Sequence, residues 1–78
     1  MPKLPILSSK EVIKALRKAG FEYAPKRGKG SHTALFRKAG SKTLLVIVPH
    51  KKHIPKGTLM AILDQAGISK DELLKFMK

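Results

Sequence analysis

His32 follows directly on Gly28-Lys29-Gly30-Ser31 and opens a β-prone segment, so a rigid element would hold it while the glycines let a ligand come close. Imidazole takes and gives protons near neutral pH, which makes it the usual general acid or base. RNA is the substrate for which one such group can suffice. Its 2′-hydroxyl is an internal nucleophile already beside the phosphorus, and removing its proton lets it attack and break the chain without a metal. Nearby Lys and Arg would offset charge growing on the phosphoryl oxygens. The plainer reading is an ordinary turn or surface histidine, and spacing alone does not separate the two.

His50 and His53 form a His-x-x-His pair in the basic stretch Pro49 to Gly57. A zinc site would need a third ligand. There is no Cys anywhere and no carboxylate close by, only His32 could join the pair, and neighbouring cations would repel a divalent ion. No metal and no cofactor is expected. Two readings stay open for this stretch. His50, Lys51, Lys52 and Lys56 contact phosphate, helped by free N–H groups at the start of the following helix, or the loop is simply solvated. Tyr23 and Phe36 lie on strands beside basic turns and could stack on bases. With only four aromatic residues in the chain (Phe 3, Tyr 1, Trp 0), both are expected in the core instead.

Charge points the same way as the histidines. The formal balance is +12, and between Glu22 and Asp64 there is no carboxylate at all. Lys26, Arg27, Lys29, Arg37, Lys38, Lys42, Lys51, Lys52 and Lys56 all fall there, with the three histidines. Such a segment cannot neutralise itself through local ion pairs and needs a polyanion, an acidic partner or solvent. A membrane surface fits poorly, because no helix pairs a basic face with bulky aromatic anchors.

The elements that must position these groups read as helix, three strands, helix and short helix. Ser8 and Glu11 form a capping box, Leu7 can staple onto Val12, and Val12, Ile13, Leu16 and Ala19 share a helical face that Gly20 ends. The spacing predicts a helix over Ser9–Ala19. Strands are predicted at Phe21–Lys26, His32–Arg37 and Thr43–Val48, with turns at Arg27–Ser31 and Lys38–Ser41. The third is the strongest, being rich in β-branched residues. A second helix is predicted from about Thr58, burying Leu59, Ile62, Leu63 and Ala66 and stopping at Gly67. In the third, Ser69 and Glu72 repeat the capping box, Ile68 staples onto Leu73, and Leu74, Phe76 and Met77 supply the apolar face.

Short hairpins favour an antiparallel three-stranded sheet with helices on one side, an α+β fold. The third strand is apolar on both faces: Leu44, Val46 and Val48 on one, Thr43, Leu45 and Ile47 on the other. A sheet with one solvated face should alternate, so either the termini or a partner is expected to cover the second face.

With 78 residues the chain is expected to be one domain, 1–78, burying a little over ~60% of its unfolded surface and leaving no room for a deep pocket. The absence of Cys suits a reducing compartment. The apolar run Leu44–Val48 is too short to span a bilayer, and residues 1–9 lack a signal-peptide pattern. A cytoplasmic protein is expected.

Several of these patterns combine into a family resemblance. The stretch Leu4 to Phe21, the Gly30-Ser31-His32 motif followed by the Phe36-Arg37 strand, Val48-Pro49-His50, and Ile54 to Ile68 resemble, in order, the HicA toxins of HicA–HicB toxin–antitoxin pairs. The turn Arg27-Gly28-Lys29-Gly30 departs from the family by being richer in Gly and Lys. The resemblance implies a fold like a double-stranded-RNA-binding domain, endoribonuclease activity on messenger RNA, and neutralisation by an acidic HicB-like antitoxin. It implies His32 as the catalytic residue, and His50 matches a recurrent histidine after the third strand. Lys26, Arg27, Lys29, Gly30, Ser31, His50, Lys51, Lys52 and Lys56 are the expected RNA contacts. Two other readings stay open: a non-catalytic RNA-binding module on the same basic face, and a subunit whose apolar sheet face is an interface.

Overall fold

The computed structural model describes residues 6–24 and 32–77. Its elements run α1 (Ser9–Lys18), β1 (Glu22–Tyr23), β2 (His32–Ala39), β3 (Lys42–Pro49), α2 (Lys56–Ala66) and α3 (Lys70–Phe76). The strands form an antiparallel sheet in the order β1-β2-β3. This is the α+β arrangement of a double-stranded-RNA-binding domain, as expected from the sequence.

Local signals explain why α1 begins and ends where it does. The Ser8 hydroxyl accepts from the Glu11 amide at 3.3 Å, and the Glu11 carboxylate accepts from the Ser8 amide at 3.1 Å. Two of the helix's orphan donors are thereby satisfied. At the other end Gly20 (φ 100°) donates to the Arg17 carbonyl, and Phe21 donates to that of Leu16. That pair of bonds is the Schellman stop, which needs a left-handed residue and so favours glycine. It delivers Phe21 into the core beside Leu16, both buried. Ser69 and Glu72 repeat the capping box on α3.

Several boundaries differ from the sequence reading, α1 ending at Lys18 rather than Ala19 among them. α2 starts at Lys56, earlier than Thr58, because Pro55 at φ −58° already fixes the angle that a first turn needs. β1 is only Glu22–Tyr23, whereas β2 and β3 run further toward their turn and leave Gly40–Ser41 as a tight two-residue loop. Gly40 takes φ 63° there, as such hairpin loops require.

Both helix layers lie on one face of the sheet. Leu35, Val46 and Val48 are fully buried against Val12, Leu16, Leu59 and Leu73. Burying side chains of this size contributes about 1.5–3 kcal/mol each before entropy is counted. Cross-strand pairing places Ala34 opposite Ile47 and Phe36 opposite Leu45 on the other face. There Leu45 and Ile47 remain 38% and 36% exposed and Phe36 is half-buried. The question left by the third strand is therefore settled. The side chains of Val46 and Val48 meet the helices and those of Leu45 and Ile47 face away, while the Ile47 amide donates to Gln65 Oε1 of α2 at 3.4 Å.

One long-range tie was not visible in the sequence. The segment before α1 pairs with the loop after β3: Ile54 donates to the Leu7 carbonyl at 2.8 Å, and Ser9 donates to that of Lys51 at 2.9 Å. This tie fixes the loop that carries the basic residues.

Candidate functional site

His32 is the first residue of β2, and its cross-strand partner is Pro49, the last residue of β3. His50 follows immediately. The two histidines therefore sit at the same end of the β2–β3 hairpin, away from the Gly40–Ser41 turn, and both are exposed. Thr33 holds the second of them. Its Oγ1 lies 2.5 Å from His50 Nε2. Either the hydroxyl donates to a bare nitrogen or the ring N–H donates to the hydroxyl, and in both cases the ring plane is fixed.

Beyond His50 the chain turns under the start of α1. Ser8, Ser9, Lys10, His50, Lys51 and Lys52 line one open groove of about 370 Å³. The Ser9 amide donates to the Lys51 carbonyl, joining two of the lining residues. Lys56 opens α2, whose N-terminus has no side-chain cap. The expected contacts Lys26, Arg27, Lys29, Gly30 and Ser31 lie outside the described residues. His53 is exposed in the same loop as His50. Among the described residues no three His, Cys, Asp or Glu side chains gather to hold a metal ion. No helix is long and apolar enough to cross a membrane.

Counting charges along the chain missed a second basic surface. Lys10, Lys14 and Arg17 recur at i, i+4 and i+7, so they share one exposed face of α1, with Lys18 beside them. Helical periodicity, the signal already used for the buried face, would have found them. Tyr23 corrects the expectation that it belongs to the core. It is 55% exposed, and the Arg17 guanidinium lies 4.9 Å from its ring centroid. β1 is a short edge strand, and among the described residues the ring shares an open groove with Lys10, Ile13, Lys14 and Arg17 of α1. Phe36, on the sheet face away from the helices, is likewise only half-buried.

The family model for the HicA toxin of bacterial toxin–antitoxin systems matches residues 9–68. That span runs from α1 through the Gly67 stop of α2 and includes both histidines of the hairpin end. No curated protein matches the chain. Order of elements, position of the histidines and family match agree, and the chain belongs to the HicA toxin family of bacterial toxin–antitoxin pairs.

Proposed function

We propose that this toxin is a metal-independent endoribonuclease that cleaves messenger RNA, with His32 as its catalytic residue. The observation that carries the reading is the placement of His32 and His50 at one end of a rigid hairpin, beside a groove lined by Lys10, Lys51 and Lys52. His32 takes the proton of a ribose 2′-hydroxyl. The resulting oxygen bonds to the adjacent phosphorus as the bond from phosphorus to the 5′-oxygen breaks. A 2′,3′-cyclic phosphate remains on one fragment, and the other leaves with a 5′-hydroxyl once a proton reaches its oxygen. Lysines around the groove lower the energy of the charge that builds on the phosphoryl oxygens.

RNA binding falls to Lys26, Arg27, Lys29, Gly30 and Ser31 in the segment before His32, and to His50, Lys51, Lys52 and Lys56 after β3. Phosphate contacts of this kind position a strand without reading its sequence. The antitoxin that a toxin of this family works with is proposed to be an acidic, HicB-like protein. Opposite charge makes its association fast, and apolar anchors make it tight. Comparing RNA cleavage by wild type and His32→Ala tests the central claim. An RNA-binding module without catalysis would bind RNA and leave it whole.

A further inference from the structure

The groove beside His50 does not stop at Lys10. A second open groove of about 370 Å³ is lined by Lys10, Ile13, Lys14, Arg17 and Tyr23, and Lys10 belongs to both. The two grooves adjoin at Lys10, and together they trace a channel from the His50 end of the hairpin along the outer face of α1 to the exposed ring of Tyr23. We propose that this channel holds the single-stranded RNA flanking the scissile phosphate, with one base stacked on Tyr23. The inference rests on the endoribonuclease reading and adds the path of the strand and the residue that grips it.

Three features of α1 favour a polyanion here. At about 100° per residue, Lys10, Lys14 and Arg17 fall within a narrow sector opposite the buried Val12, Ala15 and Leu16. Lys10 stands in the first helical turn, where the dipole disfavours a cation and favours an anion beside it. The first-turn carboxylate, Glu11, keeps its charge but is held toward the Ser8 amide and hydroxyl, and it lines neither groove. Arg17 and Lys18 alone could be read as complementing the helix C-terminus. Lys10 and Lys14 cannot.

Tyr23 supplies what lysines lack. Its ring is more than half exposed, and one side is backed by the Arg17 guanidinium. A ring held in this way is a platform for an unpaired base, and the flat guanidinium extends it. Any base has a face to stack, so such a contact grips without strict sequence choice. In a duplex the bases are already stacked on one another, so the channel discriminates for single strands.

The chain has one Tyr and no Trp, so its intrinsic fluorescence reports on Tyr23 alone. The experiment titrates His32→Ala protein, which leaves RNA intact, with a single-stranded oligoribonucleotide of mixed sequence. Tyrosine emission, corrected for RNA absorption, is followed beside the anisotropy of the same RNA carrying a dye. Emission should be quenched with the same midpoint as the anisotropy rise, and a duplex of equal length should quench far less. Lys10→Ala/Lys14→Ala/Arg17→Ala should weaken binding on the order of 10-fold or more and shrink the slope of log affinity against log salt by roughly 0.7 per lost contact. Tyr23→Ala should weaken binding where Tyr23→Phe keeps it, with circular dichroism unchanged. RNA binding without quenching, and with the salt slope of the triple variant unaltered, would overturn the channel and leave the endoribonuclease reading standing. Quenching by the antitoxin but not by RNA would assign the channel to the protein partner and overturn the inference too. Failure to bind RNA by either readout would overturn both.

Discussion

The Thr33 hydroxyl and the His50 ring meet at 2.5 Å across the open end of the β2–β3 hairpin. The bond joins the residue after the proposed catalytic histidine to the first residue of the basic loop, so the two halves of the site are held as one unit. Thr33 is half-buried and His50 exposed, so the bond lies at the surface of the site.

Thr33→Val keeps the shape of the side chain and removes the hydroxyl. The His50 ring then loses a bond worth about 1 kcal/mol and with it its fixed orientation. Cleavage should fall several-fold without loss of secondary structure. The same substitution in a His50→Ala background should do nothing further, since the two residues act through one contact. Independent, additive losses would show that the contact is incidental to activity.

Replacing Lys51, Lys52 and Lys56 by Ala should weaken RNA binding across unrelated sequences, because phosphate contacts carry no sequence information. For a single strand the salt slope should shrink by roughly 0.7 for each true contact. A filter-binding series at several salt concentrations measures it. An unchanged slope would mean that the loop is only solvated.

Two glycines should respond to Ala in opposite directions. Gly20 is at φ 100° and closes α1, so Gly20→Ala forces a side chain into left-handed backbone and should cost about 1–2 kcal/mol. Gly57 lies within α2, and a Cβ there meets nothing within 4 Å. Gly57→Ala should stabilise the fold by about 0.5–1 kcal/mol. Thermal melts decide the matter, and a shift of the same sign for both would contradict the assignment of the α1 stop.

The sequence carried most of this architecture because the helix ends are written in short-range chemistry. Ser8 with Glu11, Ser69 with Glu72, and the stops at Gly20 and Gly67 each involve residues within a few positions of one another. What depends on distant neighbours was not legible. The bond from Ile54 to Leu7 joins segments far apart in the chain, and no local pattern announces it. Tyr23 is expected in the core because aromatic residues are scarce in the chain. A two-residue edge strand buries little, and the ring stays outside. α2 begins at Lys56, two residues before Thr58, with Pro55 as its N-cap. His32 was singled out from its turn and the family resemblance, and its pairing with Pro49 explains why His50 ends up on the same end of the sheet.

The open sheet face offers the anchors a silencing partner needs. Leu45 and Ile47 project there, while their neighbour Val46 is fully buried. Leu45→Lys should weaken the complex with the cognate antitoxin by about 10-fold or more while leaving RNA cleavage unchanged, since desolvated apolar contacts dominate tight interfaces. Val46→Lys should instead unfold the protein. Titration with the antitoxin beside a cleavage assay reads both effects. Full antitoxin affinity in Leu45→Lys would move recognition to the helices and basic loops.

The most direct measurement is cleavage of messenger RNA by wild type and His32→Ala protein, with and without EDTA, beside RNA binding by each. A general base of this kind contributes on the order of 10²-fold or more, so the variant should lose at least that while keeping its fold and its affinity for RNA, and EDTA should change little. Undiminished cleavage by His32→Ala, or loss of wild-type cleavage on chelation, would contradict the account.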